Sequence, residues 1–297
     1  MPMKVGLFTD ALSDRSLGEA LRWLEAALPE IEYVELGTGG YSPAPHCDRT
    51  RLLESPEARR KLLDEIDSHE LHLAAVNVSG NPVENEDHDR ALRDTLRLAP
   101  LLGVSRVVCM SGGLAALAGG GWFPDIEEET ERYWQARVLP YWSEISAAAR
   151  QEDAALRLCL ELEPGSAVFN VSTFERIAAL GQNIAVNLDP SHFFWQSIDP
   201  LAAVRRLGTR IGFAHGKDTV LETEKVAVDG VVDRSAWRYA TVGEGHDVAW
   251  WRAFLAELRR AGYDGPLSIE YEDSLASPQD SIAQAARVIV EAGRVTE

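Results

Sequence analysis

Short apolar runs rich in β-branched residues alternate along the chain with longer stretches whose apolar positions recur at helical spacing. Eight runs read as strands: Val5 to Thr9, Tyr33 to Leu36, Leu73 to Val78, Arg106 to Met110, Leu156 to Glu161, Ile184 to Leu188, Ile211 to His215 and Leu267 to Glu270. Between them the pattern predicts helices over Leu17 to Ala27, Ala58 to His69, Asp87 to Leu102 and Trp134 to Gln151, with later ones starting near Thr173, Asp199, Trp250 and Pro278. Eight strand–helix pairs fit a closed (β/α)₈ TIM barrel better than an open doubly wound sheet. Such a sheet usually has fewer strands and a glycine-rich first turn, whereas the first turn here is Thr9-Asp10-Ala11-Leu12. No linker or low-complexity tract interrupts the pattern, so residues 1–297 are expected to form one domain.

Three connections are long: Gly37 to Thr50, Ser111 to about Thr130, and Lys217 to Val248. Long loops in a barrel gather at its C-terminal face as binding segments or lids. The third carries Trp237, Arg238 and the run Gly243-Glu244-Gly245-His246-Asp247, and is expected to close over a ligand.

Composition narrows the partners. A formal charge of −18, from 47 acidic against 29 basic residues, repels phosphate backbones and anionic membrane surfaces. Neither nucleic acid nor membrane is therefore an expected partner. No secretory signal and no apolar run of about 20 residues is visible, which predicts a cytoplasmic protein. Cys47, Cys109 and Cys159 are widely spaced and form no CxxC pair, which argues against disulfides or a thiolate metal cluster. Cys109 and Cys159 lie in apolar runs and read as core.

The chemistry lies at the strand ends. Strand five ends in Glu161, strand six is followed by Asp189, strand seven ends in His215 and strand eight ends in Glu270. Any one of these alone is equally well a polar residue where a strand meets solvent. In a barrel, however, the four ends converge on one mouth, and three carboxylates brought together repel one another unless a cation compensates. Oxygen-rich donors with one imidazole suit Mn²⁺ or Mg²⁺, with Co²⁺ or Zn²⁺ as alternatives.

The segments LELEP (Glu161), NLDPSH (Asp189, His192), AHGKD (His215, Lys217, Asp218) and SIEYED (Glu270) resemble the xylose-isomerase-like barrel superfamily, and within it the sugar phosphate isomerase/epimerase branch. The resemblance extends to VELGTGGYSPAPH, SGNP and TVGEGHD and covers nearly the whole chain. It implies that Glu161, Asp189, His215 and Glu270 hold one divalent ion, with Glu161 and Glu270 also serving as acid and base. It further implies proton transfer on a sugar-like hydroxyketone through a metal-stabilised enediolate, and a homodimer. His192 corresponds to a histidine that contacts substrate oxygens.

Two departures stand out. Ser79-Gly80-Asn81-Pro82 replaces the His-Gly-Asn-Pro of many relatives, and Glu163 stands where they often have histidine, adding negative charge near the mouth. The remaining candidate substrate contacts are Lys217, His46 and Trp122. Trp122 would form an apolar wall against a sugar face, while Lys217 and His46 each have a plain alternative: an exposed Lys217–Asp218 ion pair and a solvated loop histidine. Glu35, Asn77 and Trp195 lie near strand ends or in loops and carry the same ambiguity. The function expected is a metal-dependent isomerase or epimerase of a ketose, keto-glycoside or inositol-derived ketone. The rivals are a lyase of the inosose dehydratase type and a non-catalytic sugar-binding barrel.

Overall fold

A computed structural model describes residues 3–113 and 126–294. Its strands are β1 (Val5–Phe8), β2 (Ile31–Gly37), β3 (His72–Asn77), β4 (Arg106–Met110), β5 (Arg157–Glu161), β6 (Ile184–Leu188), β7 (Ile211–Gly216), β8 (Asp218–Leu221), β9 (Trp237–Ala240) and β10 (Leu267–Ile269). Eight of them close into a parallel barrel in the order β1-β10-β7-β6-β5-β4-β3-β2. The expected TIM barrel is therefore the fold. The strands of β6 and β7 are buried at every position, as expected where side chains on one face fill a barrel and those on the other meet helices.

Two compact units are recognisable. The first comprises Met1–Glu35, Glu65–Ala74 and Leu188–Glu297; the second comprises Leu36–Asp64 and Ala75–Asn187. In the first, β1 pairs with β10 from Val5↔Leu267 to Leu7↔Ile269, and β10 pairs with β7 through Ser268↔His215. Glu35 stands opposite Phe8. This register sets Glu35, Ser268 and His215 on neighbouring rows. In the second unit, β4 pairs with β5 as far as Met110↔Glu161, and β5 with β6 as far as Glu161↔Asn187, which fixes Glu161 at the last rung.

Helix boundaries follow local chemistry. The helix Leu17–Ala27 starts where Ser16 and Glu19 form a capping box, and it buries Ala20, Leu21 and Leu24 on one face. Asn170, Asp199, Asp247 and Ser277 cap the helices Val171–Ala178, Pro200–Leu207, Val248–Arg260 and Pro278–Gly293 with side-chain oxygens. Cys109 and Cys159 are core residues, and Cys47 is buried as well. Among the described residues no helix is long and apolar enough to cross a membrane.

The segment expected as one long loop from Lys217 to Val248 is instead structured. Strands β8 and β9 pair antiparallel from Asp218↔Ala240 to Leu221↔Trp237, with the helix Thr223–Asp229 between them. Four-residue strands are too short to show clear alternation, which is why the sequence pattern passes over them. The Gly243–Asp247 run is pinned down as well. The buried carboxylate of Asp218 accepts the backbone N–H groups of Gly243, Gly245 and His246 at 3.0–3.1 Å, and its other oxygen meets His246 Nδ1 at 2.7 Å.

Candidate metal centre

Asp189, His215 and Glu270 stand at the C-terminal ends of β6, β7 and β10. His215 is fully buried on β7, stacked against Phe8 with ring centroids 6.4 Å apart. Its Nε2 faces the carboxylate of Glu35 at 3.1 and 3.3 Å, and its Nδ1 lies 3.3 Å from Glu270 Oε2. Glu35 is itself fully buried and accepts a second hydrogen bond from Ser268 Oγ at 2.7 Å. Glu35 is thus the carboxylate that sets the orientation of His215, a role the strand-end pattern does not assign to it.

Asp189 follows β6 directly. Its Oδ1 accepts the N–H of Ser191 at 2.8 Å, a turn that aims the carboxylate and starts the short helix Ser191–Phe194. Its Oδ2 is buried and accepts no hydrogen bond. The near positive group is Lys217 Nζ, 3.1 Å away. Lys217 is 2 % exposed, so the exposed Lys217–Asp218 pair considered from sequence is not formed. The ammonium donates to Glu270 Oε2 at 2.6 Å and Glu272 Oε2 at 2.8 Å, and lies 4.6 Å over the ring of Tyr239.

Glu161, 5 % exposed at the last rung of β5, completes the set. One ligand atom from each of Glu161, Asp189, His215 and Glu270 lies within 4.8 Å of the other three. A divalent ion fits this set on two counts. The donors are three hard carboxylate oxygens and one imidazole nitrogen, and Asp189 Oδ2 is a buried anionic oxygen with lone pairs that no hydrogen bond uses.

The other expected residues divide. His192 is buried beside the centre, with Nε2 3.5 Å from Asp189 Oδ2 and Nδ1 2.8 Å from the hydroxyl of Tyr239. Glu163 is half-buried, and its Oε2 accepts the N–H of Gly165 at 2.6 Å, folding back on its own turn. His46 is buried, not solvated. Asn77 uses its side-chain oxygen to accept the Ser79 N–H, a turn contact. Trp195 is half-buried and stacks on Trp237 at 4.4 Å. Trp122 lies outside the described residues. Tyr239 was not picked out from sequence, since a tyrosine inside a segment read as loop carries no signal of its own.

Residues 29–292 match the model of the xylose isomerase-like TIM barrel family. The chain belongs to that family. A curated relative, the uncharacterised protein YfiH of Bacillus subtilis (strain 168), is 34 % identical over 314 residues, covering 97 % of this chain and 98 % of its own. Solved structures of similar fold include the probable 3-DHS dehydratase AsbF of Bacillus anthracis, with TM-score 0.68 and 16 % identity over 97 % of this chain and 98 % of its own. The IOLI protein with a bound zinc atom has TM-score 0.66 and 16 % identity, covering 98 % of both chains. A D-psicose 3-epimerase solved in the presence of D-fructose has TM-score 0.62 and 13 % identity over 98 % and 96 %. At these identities the solved structures establish the fold alone. A protein named as an epimerase and one named as a probable dehydratase thus share this fold, and the reaction has to be argued from this chain's own site.

Proposed function

We propose that this protein is a divalent-metal-dependent isomerase or epimerase acting on a ketose, keto-glycoside or inositol-derived ketone, and that residues 1–297 work as one barrel domain. The observation that carries the reading is the ligand group Glu161, Asp189, His215 and Glu270, in which Asp189 Oδ2 is buried without a hydrogen bond. Glu161, Asp189, His215 and Glu270 would hold the ion, with Mn²⁺ or Mg²⁺ favoured by the oxygen-rich set and Co²⁺ or Zn²⁺ as alternatives. A bound ion supplies Lewis acidity at the substrate carbonyl and offsets the charge of an enediolate.

The chain's own groups do the rest. Glu161 and Glu270 come from different strands, and a carboxylate within reach of an α-carbon accepts its proton as general base. In epimerisation one glutamate takes the proton and the other returns it from the opposite face; in isomerisation the proton goes back to the neighbouring carbon. His192 stands beside Asp189 with Nε2, while the Tyr239 hydroxyl holds its Nδ1, so the ring is oriented to exchange a hydrogen bond with a substrate oxygen. Lys217 anchors Glu270 and Glu272 through its ammonium, which keeps the Glu270 carboxylate from swinging outward. A homodimer and a cytoplasmic site of action complete the proposal.

The test is proton exchange. Protein loaded with Mn²⁺ or Mg²⁺ is given ketoses, keto-glycosides and inosose in D₂O, and carbon-bound hydrogens are followed by mass shift and product NMR. Metal-dependent deuterium incorporation next to the carbonyl, lost in Glu161→Gln and Glu270→Gln, is expected. Loss of water from the product would make the protein a dehydratase working through the same centre. No exchange in protein shown to hold its metal would refute the enolising chemistry, and a protein that binds no divalent ion would revive the sugar-binding barrel.

A further inference from the structure

The groups that a ligand meets around this centre are anionic or already engaged. In the first unit, Asp189, Glu270 and Glu272 stand around Lys217, and Glu35 faces His215. Lys217 Nζ donates to Glu270 at 2.6 Å and to Glu272 at 2.8 Å. Asp189 Oδ2, 3.1 Å away, adds a third carboxylate to its surroundings as an ion-pair partner. Arg238, on β9, is held by Glu244 at 2.7 Å and Asp273 at 3.4 Å. The nearby imidazoles are engaged too: His215 lies between Glu35 and Glu270, and His246 is held by Asp218.

The sequence of the connecting segment after β10 points the same way. Residues 270–277 contain no lysine, arginine or histidine, and they carry three carboxylates, Glu270, Glu272 and Asp273. Recognition of a phosphate or carboxylate ordinarily uses several charge-assisted donors, an arginine fork above all, or free N–H groups at a helix start. Such donors are scarce here, and a divalent ion leaves the surrounding carboxylates in formal excess. Hydroxyl groups face no such obstacle. Carboxylates accept from them, and the Tyr239 phenol and His192 ring exchange hydrogen bonds with them at no cost in charge.

We infer that the site selects an uncharged polyhydroxy ketone, a free ketose or a keto-glycoside, and discriminates against sugar phosphates and keto acids. The inference rests on the proposed enolising reading for the ketone itself, but the preference for a neutral polyol is a matter of binding and can be read without turnover. Glu272 is the lever: half-exposed and bound to Lys217, it both adds negative charge and occupies one of the lysine's donors.

The experiment compares matched pairs on Mn²⁺-loaded protein: xylitol with xylitol 5-phosphate, and glucitol with glucitol 6-phosphate or gluconate. Affinity is measured calorimetrically, and deuterium exchange is measured on the corresponding ketoses. The neutral member is expected to bind at least about tenfold more tightly, since like charges within a few ångströms in a partly buried site oppose the anion. Glu272→Gln is expected to narrow that ratio by weakening the discrimination against the anion. Equal or tighter binding of the phosphorylated or carboxylated member, or binding of neither, overturns the inference. A phosphate ester whose tight binding is lost in Arg234→Ala would locate the error: Arg234 lies on the hairpin with its guanidinium 3.7 Å over Trp237 and 5.8 Å from Tyr239. Neutral selectivity in binding without any proton exchange would instead leave this inference standing and refute the enolising chemistry.

Discussion

Replacing Glu35 by glutamine tests whether the centre depends on a residue that does not itself join the ligand group. A carboxylate only accepts, so Glu35 at 3.1 and 3.3 Å compels Nε2 of His215 to carry a proton, which leaves the Nδ1 lone pair directed toward Glu270 and the proposed ion. Glutamine keeps the volume but offers a donor as well as an acceptor. Ser268 Oγ–H already points at Oε2, so an amide carbonyl kept on the Ser268 side leaves its NH₂ facing the imidazole and favours the tautomer that blocks Nδ1. Outer carboxylates of this kind are worth about 10–100-fold in metal affinity, equivalent to roughly 1.4–2.7 kcal/mol. The assay is competition for Mn²⁺ or Zn²⁺ against a chromophoric chelator, paired with unfolding in EDTA to measure any cost to the metal-free fold, expected at about 1–3 kcal/mol from the altered buried hydrogen bonds. Metal affinity unchanged within twofold in a folded Glu35→Gln protein would refute the reasoning and reduce Glu35 to a core contact.

Three further outcomes are expected. Lys217→Met strips the positive charge from buried Asp189 and Glu270, which should cost the metal-free protein about 3–5 kcal/mol. Because a divalent ion restores positive charge there, excess Mn²⁺ should recover much of that loss in thermal unfolding, and a deficit of equal size with and without metal would contradict the assignment. Chelation of the unmodified protein should lower its melting temperature, metal at 100 times its Kd being worth about 2.7 kcal/mol. Asp273 should contribute stability with a defined pH dependence. Burial pushes its carboxyl up, but hydrogen bonds from Leu275 and Thr241, with Arg238 nearby, outweigh that and hold it below its ordinary value of 3.8. Its contribution is therefore present above about pH 4 and fades as pH falls through the lowered value. Asp273→Asn should be less stable at pH 7 and converge on the parent in acid; a gap that widens below pH 3.8 would reverse the sign.

The parts of this site that were legible in the sequence are those fixed by where strands stop. A parallel barrel places every strand's C-terminal end on one face, so finding Glu161, Asp189, His215 and Glu270 at four run ends was enough to group them. Small boundary errors did not matter: β10 ends at Ile269 and not at Glu270, yet the Glu270 N–H still reaches the Gly216 carbonyl at 3.3 Å. The β8–β9 hairpin was not legible, because four residues a side with charged neighbours give no clear alternation. The consequence reached the site itself, since Tyr239 of β9 is what fixes His192 and covers Lys217.

Glu35 and Lys217 show a different kind of blindness. Alternation in β2 can say that Glu35 faces inward with Ile31 and Tyr33, but not that it meets a histidine 180 positions later. That meeting depends on register across β1 and β10, Phe8↔Glu35 and Ser268↔His215, which only the closed barrel determines. Lys217 looked from sequence like one half of a rim ion pair because its neighbour Asp218 has the opposite charge. Lys217 is instead the single residue between β7 and β8, and there the two side chains part: Asp218 turns toward the Gly243–His246 backbone while Lys217 turns toward Asp189 and Glu270. That parting gives one residue to the scaffold and the other to the candidate metal centre. Asp218→Asn should accordingly loosen the Gly243–His246 segment while changing metal affinity far less than Lys217→Met does, and the reverse order in a metal titration would mean that the two residues act on the centre together.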